Sequence, residues 1–328
     1  MENQKVGSVR MTASLDTLLR PTTLNDCVGL KAAKVQLRTM INSARITRRP
    51  LGHILFSGGG GVGKTTLALA VANELHTTLT QTTGEALGSL NDRDSIDLLS
   101  RVCEGGMLFV DECHQLNRRA QDTLLPLLER GQLMTQAGNR SRKAYIEKYF
   151  QDFTCLAATT APGSLQETLK QRFERHIELD FYSIEELTEI AARNAGLLGV
   201  NIANDGLKMI ASRAKGVPRI ANNILKYARH FSISRAYPRL GLRDVQAVMS
   251  ELEIGELGLT KRDKRYLGKL ASLGKPMGIR TLAANLREDQ GTIQEIEGYL
   301  MQEDLIEITT RGRCITDKGL QYLERSLE

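Results

Sequence analysis

Ser57-Gly58-Gly59-Gly60-Gly61-Val62-Gly63-Lys64-Thr65-Thr66 follows the apolar run His53-Ile54-Leu55-Phe56 and precedes an alanine-rich helical pattern from Leu67 to Leu75. Gly58, four intervening residues and then Gly63-Lys64-Thr65 have the Walker A spacing, set between the strand and helix that such a loop requires. Main-chain N–H groups of Gly58, Gly61, Val62, Gly63 and Thr66 are expected to wrap phosphates at a helix N-terminus, where the helix dipole favours an anion. Lys64 would neutralise the β- and γ-phosphates, and the Thr65 hydroxyl would hold Mg²⁺. A flexible glycine hinge is the competing reading, and the strand–loop–helix context makes it the weaker one. The chain is therefore expected to bind ATP.

A second stretch bears on hydrolysis. Met107-Leu108-Phe109-Val110 has the composition of a buried strand and runs into Asp111-Glu112-Cys113-His114. An acid at the carboxyl end of a parallel strand lies in the crevice where such sheets bind ligands, here beside the phosphate loop of a neighbouring strand. Asp111 would join Thr65 as a Mg²⁺ ligand, and Glu112 would orient and polarise the attacking water. Acids also favour helix starts, but the upstream phosphate loop favours the catalytic reading.

The 328 residues exceed one ordinary core and suggest two or three domains. A 41% hydrophobic and 25% charged composition is that of a soluble globular protein. No apolar run approaches the roughly 18 residues of a membrane span, and Met1 to Leu19 lacks a signal-peptide core. Cys27, Cys103, Cys113, Cys155 and Cys314 are dispersed, odd in number and free of any C-x-x-C pair. All five are read as small buried hydrophobes of a reduced, cytoplasmic protein. A net charge of +6 suits a polyanionic partner.

Strands expected at 53–57, 79–83, 107–111, 153–159 and 176–180 alternate with helices and predict an α/β domain with a parallel sheet. A helix is expected over 30–45. Residues 1–18 read as an unpatterned tail and 19–180 as the ATPase domain. A β-hairpin is expected to interrupt it at 131–148, made basic by Arg140, Arg142, Lys143 and Lys148. Ser183-Ile184-Glu185-Glu186 is a capping box that opens a helical lid over 181–255. Residues 256–328 predict helices near 261–273, 279–286 and 290–303, followed by two short strands around Arg311-Gly312-Arg313. That is the layout of a winged helix, with Arg311 and Arg313 as the DNA-binding residues of its wing.

Further segments carry a resemblance. These are Arg20-Pro21, Ala158-Thr159-Thr160, Gln171-Arg172-Phe173, Phe181-Tyr182, Gly216-Val217-Pro218-Arg219-Ile220-Ala221-Asn222, Glu256-Leu257-Gly258-Leu259 and Thr281-Leu282-Ala283-Ala284. With the phosphate loop and the Arg-Gly-Arg wing, they make the chain resemble the RuvB family, AAA+ motors that drive branch migration of Holliday junctions. The resemblance runs from Arg20 to about Leu323 and implies an ATP-hydrolysing DNA translocase. It implies Thr160 as sensor 1, with Thr159 as the alternative. Arg172 would be the arginine finger that reaches the neighbouring subunit's site, and Arg219 would be sensor 2. Leu19, Arg20, Tyr182 and Pro218 would surround the base and sugar. The implied partners are branched or double-stranded DNA, five further copies in a homo-hexameric ring, a RuvA-like adaptor and a RuvC-like resolvase.

The chain departs from the family pattern in places. Gly59 and Gly60 stand where the family has two prolines, Lys170 where it has arginine, and Gln290 and Ile308 where its winged helix usually has arginine. The hairpin 131–148, which docks onto RuvA in the family, is more charged here. A nucleotide-switched, clamp-loader-like protein without processive translocation is the alternative that the same domain series would fit.

Overall fold

A computed structural model of the protein describes residues 14–90, 92–102, 105–137, 144–150 and 152–325. Most of the expected N-terminal tail, Cys103, and the hairpin residues Arg140, Arg142 and Lys143 lie outside the described residues, as does the side chain of Lys148.

The first unit opens with α1 (Leu15–Leu19), α2 (Lys31–Thr47) and β1 (Ile54–Gly58), and continues through α3 (Lys64–Glu74), β2 (Leu79–Thr83), α4 (Gly84–Ser89) and α5 (Asp92–Leu99). It goes on with β3 (Met107–Asp111), α6 (Arg118–Arg130), β4 (Gln132–Ala137), β5 (Ala144–Tyr149), β6 (Thr154–Thr159), α7 (Glu167–Lys170) and β7 (Arg175–Leu179). Five strands form one sheet in the order β2-β3-β6-β1-β7, every pair parallel. The apolar runs in β1, β3 and β6 make these the central strands, buried on both faces. Successive side chains serve opposite layers: Ile54, Phe56 and Phe109 pack with α2 and α3, whereas Leu55, Leu108 and Val110 pack with α6. The two strands at 132–149 pair antiparallel outside this sheet, as the expected hairpin.

The strand order revises one expectation. β3 is not the neighbour of β1, because β6 lies between them. Asp111 is thus one strand removed from the phosphate loop, and Thr160, just past β6, occupies the gap.

Four helices follow: α8 (Ile184–Leu198), α9 (Asn204–Arg213), α10 (Pro218–Ser234) and α11 (Leu242–Glu251). The capping box is formed in full, with Ser183 and Glu186 each bonding the other's main-chain N–H. The last residues of the supposed tail belong here as well. Ser14 caps α1, whose Leu19 is buried in the lid core beside Leu187 and Ala191.

The third unit comprises α12 (Lys261–Leu273), α13 (Ile279–Leu286), α14 (Gln290–Gln302), β8 (Ile306–Thr309), β9 (Gly312–Ile315) and α15 (Asp317–Arg325). The wing is the antiparallel pair β8–β9. α15, absent from the sequence reading, buries Tyr322 against the same core. Lys215 of the lid fastens this unit by an ion pair to the buried Asp263 at 2.6 Å. Cys27, Cys113 and Cys155 are buried free thiols, while Cys314 is only half-buried on the wing, contrary to expectation.

Candidate functional site: a nucleotide cleft at the carboxyl ends of the strands

β1 ends at Gly58, and the chain turns through 59–63 into α3. Gly58 (φ +138°), Gly61 (φ +80°) and Gly63 (φ +110°) take the left-handed backbone that disfavours side chains. A Cβ on Gly58 would lie 2.3 Å from the Leu179 carbonyl oxygen, and one on Gly61 would lie 2.8 Å from Cβ of Arg219. The loop is thus pressed between β7 and the start of α10. α3 has no side-chain cap, so its first-turn N–H groups are left for an anion.

Lys64 is buried, and its ammonium donates to the carbonyls of Gly58 and Gly59, both at 2.8 Å. Burial lowers its pKa, and the nearby Glu112 and Asp111 carboxylates oppose that shift. Thr65 Oγ1 donates to Asp111 Oδ2 at 2.9 Å, so the hydroxyl of the loop and the acid of β3 converge. The main-chain N–H of Glu112 donates to the other Asp111 oxygen at 3.0 Å. Glu112 itself sits at φ +47°, and its Oε2 lies 3.3 Å from Thr160 Oγ1 and 3.2 Å from His114 Nδ1. Thr159, the alternative sensor, is fully buried and turned to His114 at 3.3 Å, whereas Thr160 faces the acid.

Lys64, Thr65, Asp111 and Glu112 border a cleft of about 590 Å³ between the sheet and the lid, and Thr160 and His114 stand beside Glu112 outside its lining; the volume is within the usual range for small-molecule sites. Leu19, Arg20, Gly61, Gly63, Lys64, Thr65, Thr66, Asp111, Glu112, Tyr182, Pro218 and Arg219 all line the cleft. Gly58 and Val62 support the loop from behind; the Val62 carbonyl accepts from Tyr182 Oη at 3.2 Å. Arg172 is outside this cleft. Its guanidinium is 3.7 Å from Glu129 of the same chain and is 37% exposed.

Several lining residues escaped the sequence reading, among them Asp16, Cys27, Asn194, Asn222 and Lys226. Asn194 left a signal. It is an amide on the buried face of α8 between Ala191 and Ala195, and it donates to Asn222 Oδ1 at 2.7 Å. A buried polar side chain on an apolar stripe asks for a partner.

The wing requires a correction. Arg311 is exposed at the turn, but Arg313 lies within β9 and points inward. Its guanidinium forks onto the buried Glu297 at 2.8 and 3.1 Å, and Tyr266 Oη donates to that carboxylate at 2.9 Å. A carboxylate on the core-facing side of α14 needs a cation, and alternation along β9 delivers Arg313 to it.

Comparison with known proteins finds one family in all three units. Residues 19–179 match the Holliday junction DNA helicase RuvB P-loop domain, 182–255 the RuvB AAA lid domain and 256–324 the RuvB C-terminal winged helix domain. The structure of the Thermotoga maritima RuvB Holliday junction branch migration motor is 32% identical, with a TM-score of 0.84 over 94% of this chain and 98% of that one. A lysine-to-arginine mutant of the same protein is 33% identical, with a TM-score of 0.86 over 93% and 98%.

The chain belongs to the RuvB family. Its first unit is the ATP-hydrolysing AAA+ P-loop domain of that family, and the lid and winged helix follow in family order. Among the described residues no helix is long and apolar enough to cross a membrane.

Proposed function

We propose that this protein is an ATP-driven DNA translocase that moves the arms of Holliday junctions, acting as a homo-hexameric ring. One observation carries the proposal: the RuvB domain series is present in order, and Lys64, Thr65, Asp111, Glu112 and Arg219 line one cleft that leaves Arg172 outside. Arg172 has the matching motif, stands outside its own protomer's cleft, and is partly exposed. A ring in which each copy lends Arg172 to the next supplies a cation to the transition state, worth on the order of 10³–10⁵ in rate in related phosphoryl transfers.

Within the cleft, the glycine loop and the α3 N-terminus cradle the phosphates. Lys64 exchanges its two loop carbonyls for phosphate oxygens. The residues fit a magnesium ion, since Thr65 and Asp111 already converge at 2.9 Å and both are hard oxygen donors suited to it. When bound, that ion would neutralise charge on the β- and γ-phosphates. Glu112 accepts the proton of the attacking water, Thr160 steadies Glu112, and Arg219 ties the lid angle to the nucleotide. Leu19, Arg20, Tyr182 and Pro218 enclose the base and sugar.

Arg311 would grip DNA phosphate from the wing, with a RuvA-like adaptor and a RuvC-like resolvase as partners. The three buried free thiols are compatible with a reducing, cytoplasmic setting.

The test is DNA-stimulated ATP hydrolysis and displacement of a four-way junction arm, with and without a RuvA-type adaptor. Both are lost in Lys64→Ala and in Glu112→Gln. Mixing Lys64→Ala with Arg172→Ala at equal parts leaves about one interface in four with both groups intact, so turnover should reappear. Hydrolysis without any arm displacement overturns the translocase reading, and failure of the mixture to recover turnover overturns the shared site.

A further inference from the structure

His114 stands two residues beyond Glu112. We propose that His114 is a positioning residue for hydrolysis: it holds one carboxylate oxygen of Glu112 so that the other is presented to the attacking water. The proposal rests on Glu112 being the water-activating base.

The local backbone brings the two side chains together. β3 ends at Asp111, and Glu112 takes a left-handed conformation that turns the chain sharply. Residues Cys113–Gln115 then form one 3-10 turn, closed by the Gln115 N–H on the Glu112 carbonyl at 2.9 Å. This turn is held from behind. Cys113 is buried, and Gly84 lies so close that a Cβ there would stand 2.4 Å from the Glu112 carbonyl oxygen and 3.1 Å from Cys113 Cα. The imidazole is therefore carried on a fixed base.

Its contacts are specific. His114 Nδ1 is 3.2 Å from Glu112 Oε2, the oxygen that Thr160 Oγ1 also reaches at 3.3 Å. A carboxylate only accepts, so His114 holds Glu112 in the tautomer that carries the proton on Nδ1. Thr159 Oγ1 lies 3.3 Å from the same nitrogen and is anchored by accepting from the Ala161 N–H at 3.0 Å. Thr160 donates to Oε2 and His114 Nδ1 stands at ion-pair distance from the same oxygen, whereas no hydrogen bond engages Oε1 among the described residues. That asymmetry suits a base: one oxygen is fixed and the other is free to take a proton from water. With Thr160 alone, the carboxylate could rotate about a single bond to its partner. A side chain that is 38% exposed would then spend much of its time out of line. Orientation errors of this kind cost turnover rather than binding.

The experiment compares His114→Ala, His114→Asn and His114→Gln in the full-length protein, assembled with DNA and saturated with Mg-ATP. Asparagine places an N–H donor near the position of Nδ1, whereas glutamine places it nearer to Nε2. His114→Ala should lower kcat about 10- to 100-fold, with the affinity for a fluorescent ADP analogue and the melting temperature close to those of the parent. His114→Asn should restore most of the loss, and His114→Gln little of it. The proposal is overturned if His114→Ala keeps kcat within twofold, if asparagine does not restore it, or if nucleotide affinity and melting temperature fall together with kcat. Glu112→Gln is run alongside, and retention of parental turnover by that variant shows that the assignment of Glu112 itself has failed.

Discussion

Replacing Arg313 by alanine should unfold the winged helix before it affects DNA binding. Glu297 is 3% exposed and has three hydrogen bonds, two from Arg313 and one from Tyr266. Arg313→Ala leaves a buried carboxylate with one neutral donor. Removing one partner from a buried pair costs about 3–5 kcal/mol, and the 16% exposure of Arg313 places the loss near the lower end, about 3 kcal/mol. Hydrogen exchange of the α12 and α14 amides reads this directly as a lowered free energy of local opening. The triple variant Arg313→Met, Glu297→Leu, Tyr266→Phe removes the charges and the hydroxyl together, and it should return to within about 1 kcal/mol of the parent or exceed it. Its DNA affinity should keep the parental salt dependence. By contrast, Arg311→Ala should leave exchange unchanged and flatten the slope of log K against log salt by about 0.9, the contribution of one phosphate. A loss below about 1 kcal/mol in Arg313→Ala, accompanied by a flatter salt slope, would refute the inward role and return Arg313 to the DNA face.

Gly60 has no left-handed φ and nothing within 4 Å of an added Cβ, so Gly60→Ala should stabilise the protein by about 0.4–1 kcal/mol in urea unfolding and leave nucleotide affinity intact. Gly61→Ala should instead abolish tight nucleotide binding in a fluorescence titration, because its φ is +80° and its Cβ would meet Val217 Cγ1 at 2.9 Å and Arg219 Cβ at 2.8 Å. Burial holds the pKa of His53 below its ordinary value, and Nδ1 must stay unprotonated to accept from the Cys155 N–H. Its contribution to stability is therefore complete above about pH 6.5 and is lost as pH falls from there towards the lower folded value; unfolding from pH 8 to pH 5.5 should show that component, and His53→Phe should lack it. Lys215→Met should cost about 1–3 kcal/mol by leaving Asp263 to Thr260 alone, and should speed protease cleavage within 253–259 between lid and winged helix.

The parts of this fold legible in the sequence are those whose signals are local. The phosphate loop is contiguous, and Gly58, Gly61 and Gly63 fall where the backbone needs positive φ. The capping box at Ser183 spans four residues, and the turn formers Gly131, Gly138 and Asn139 in the sequence announce the hairpin. The unbroken apolar runs of β1, β3 and β6 mark the central strands of the sheet, and these strands bring the carboxyl ends together. Strand order was less accessible. Periodicity says which residues face a core, but nothing in Met107–Asp111 states that β6 will come between it and β1. The order depends on which crossovers the helices can span.

Charge partnerships were the least legible, for a physical reason. An arginine next to a glycine at a turn has the composition of a phosphate contact, and both Arg311 and Arg313 fit it equally. They differ in place: Arg311 stands in the turn before β9, whereas Arg313 lies within β9 on the face that Ile315 also turns to the core, and neither arginine's own neighbours announce that. Glu297 could have tipped the balance: it falls in α14 between the buried Ile293 and Leu300, on a face where an unpaired carboxylate could not remain. Lys215 and Asp263, 48 residues apart in different units, give no such hint. Asp263 has a complete local explanation as the N3 acid of a capping box with Thr260. A residue that already satisfies a local rule conceals its long-range partner, and for that reason the join between lid and winged helix emerged only from the folded chain.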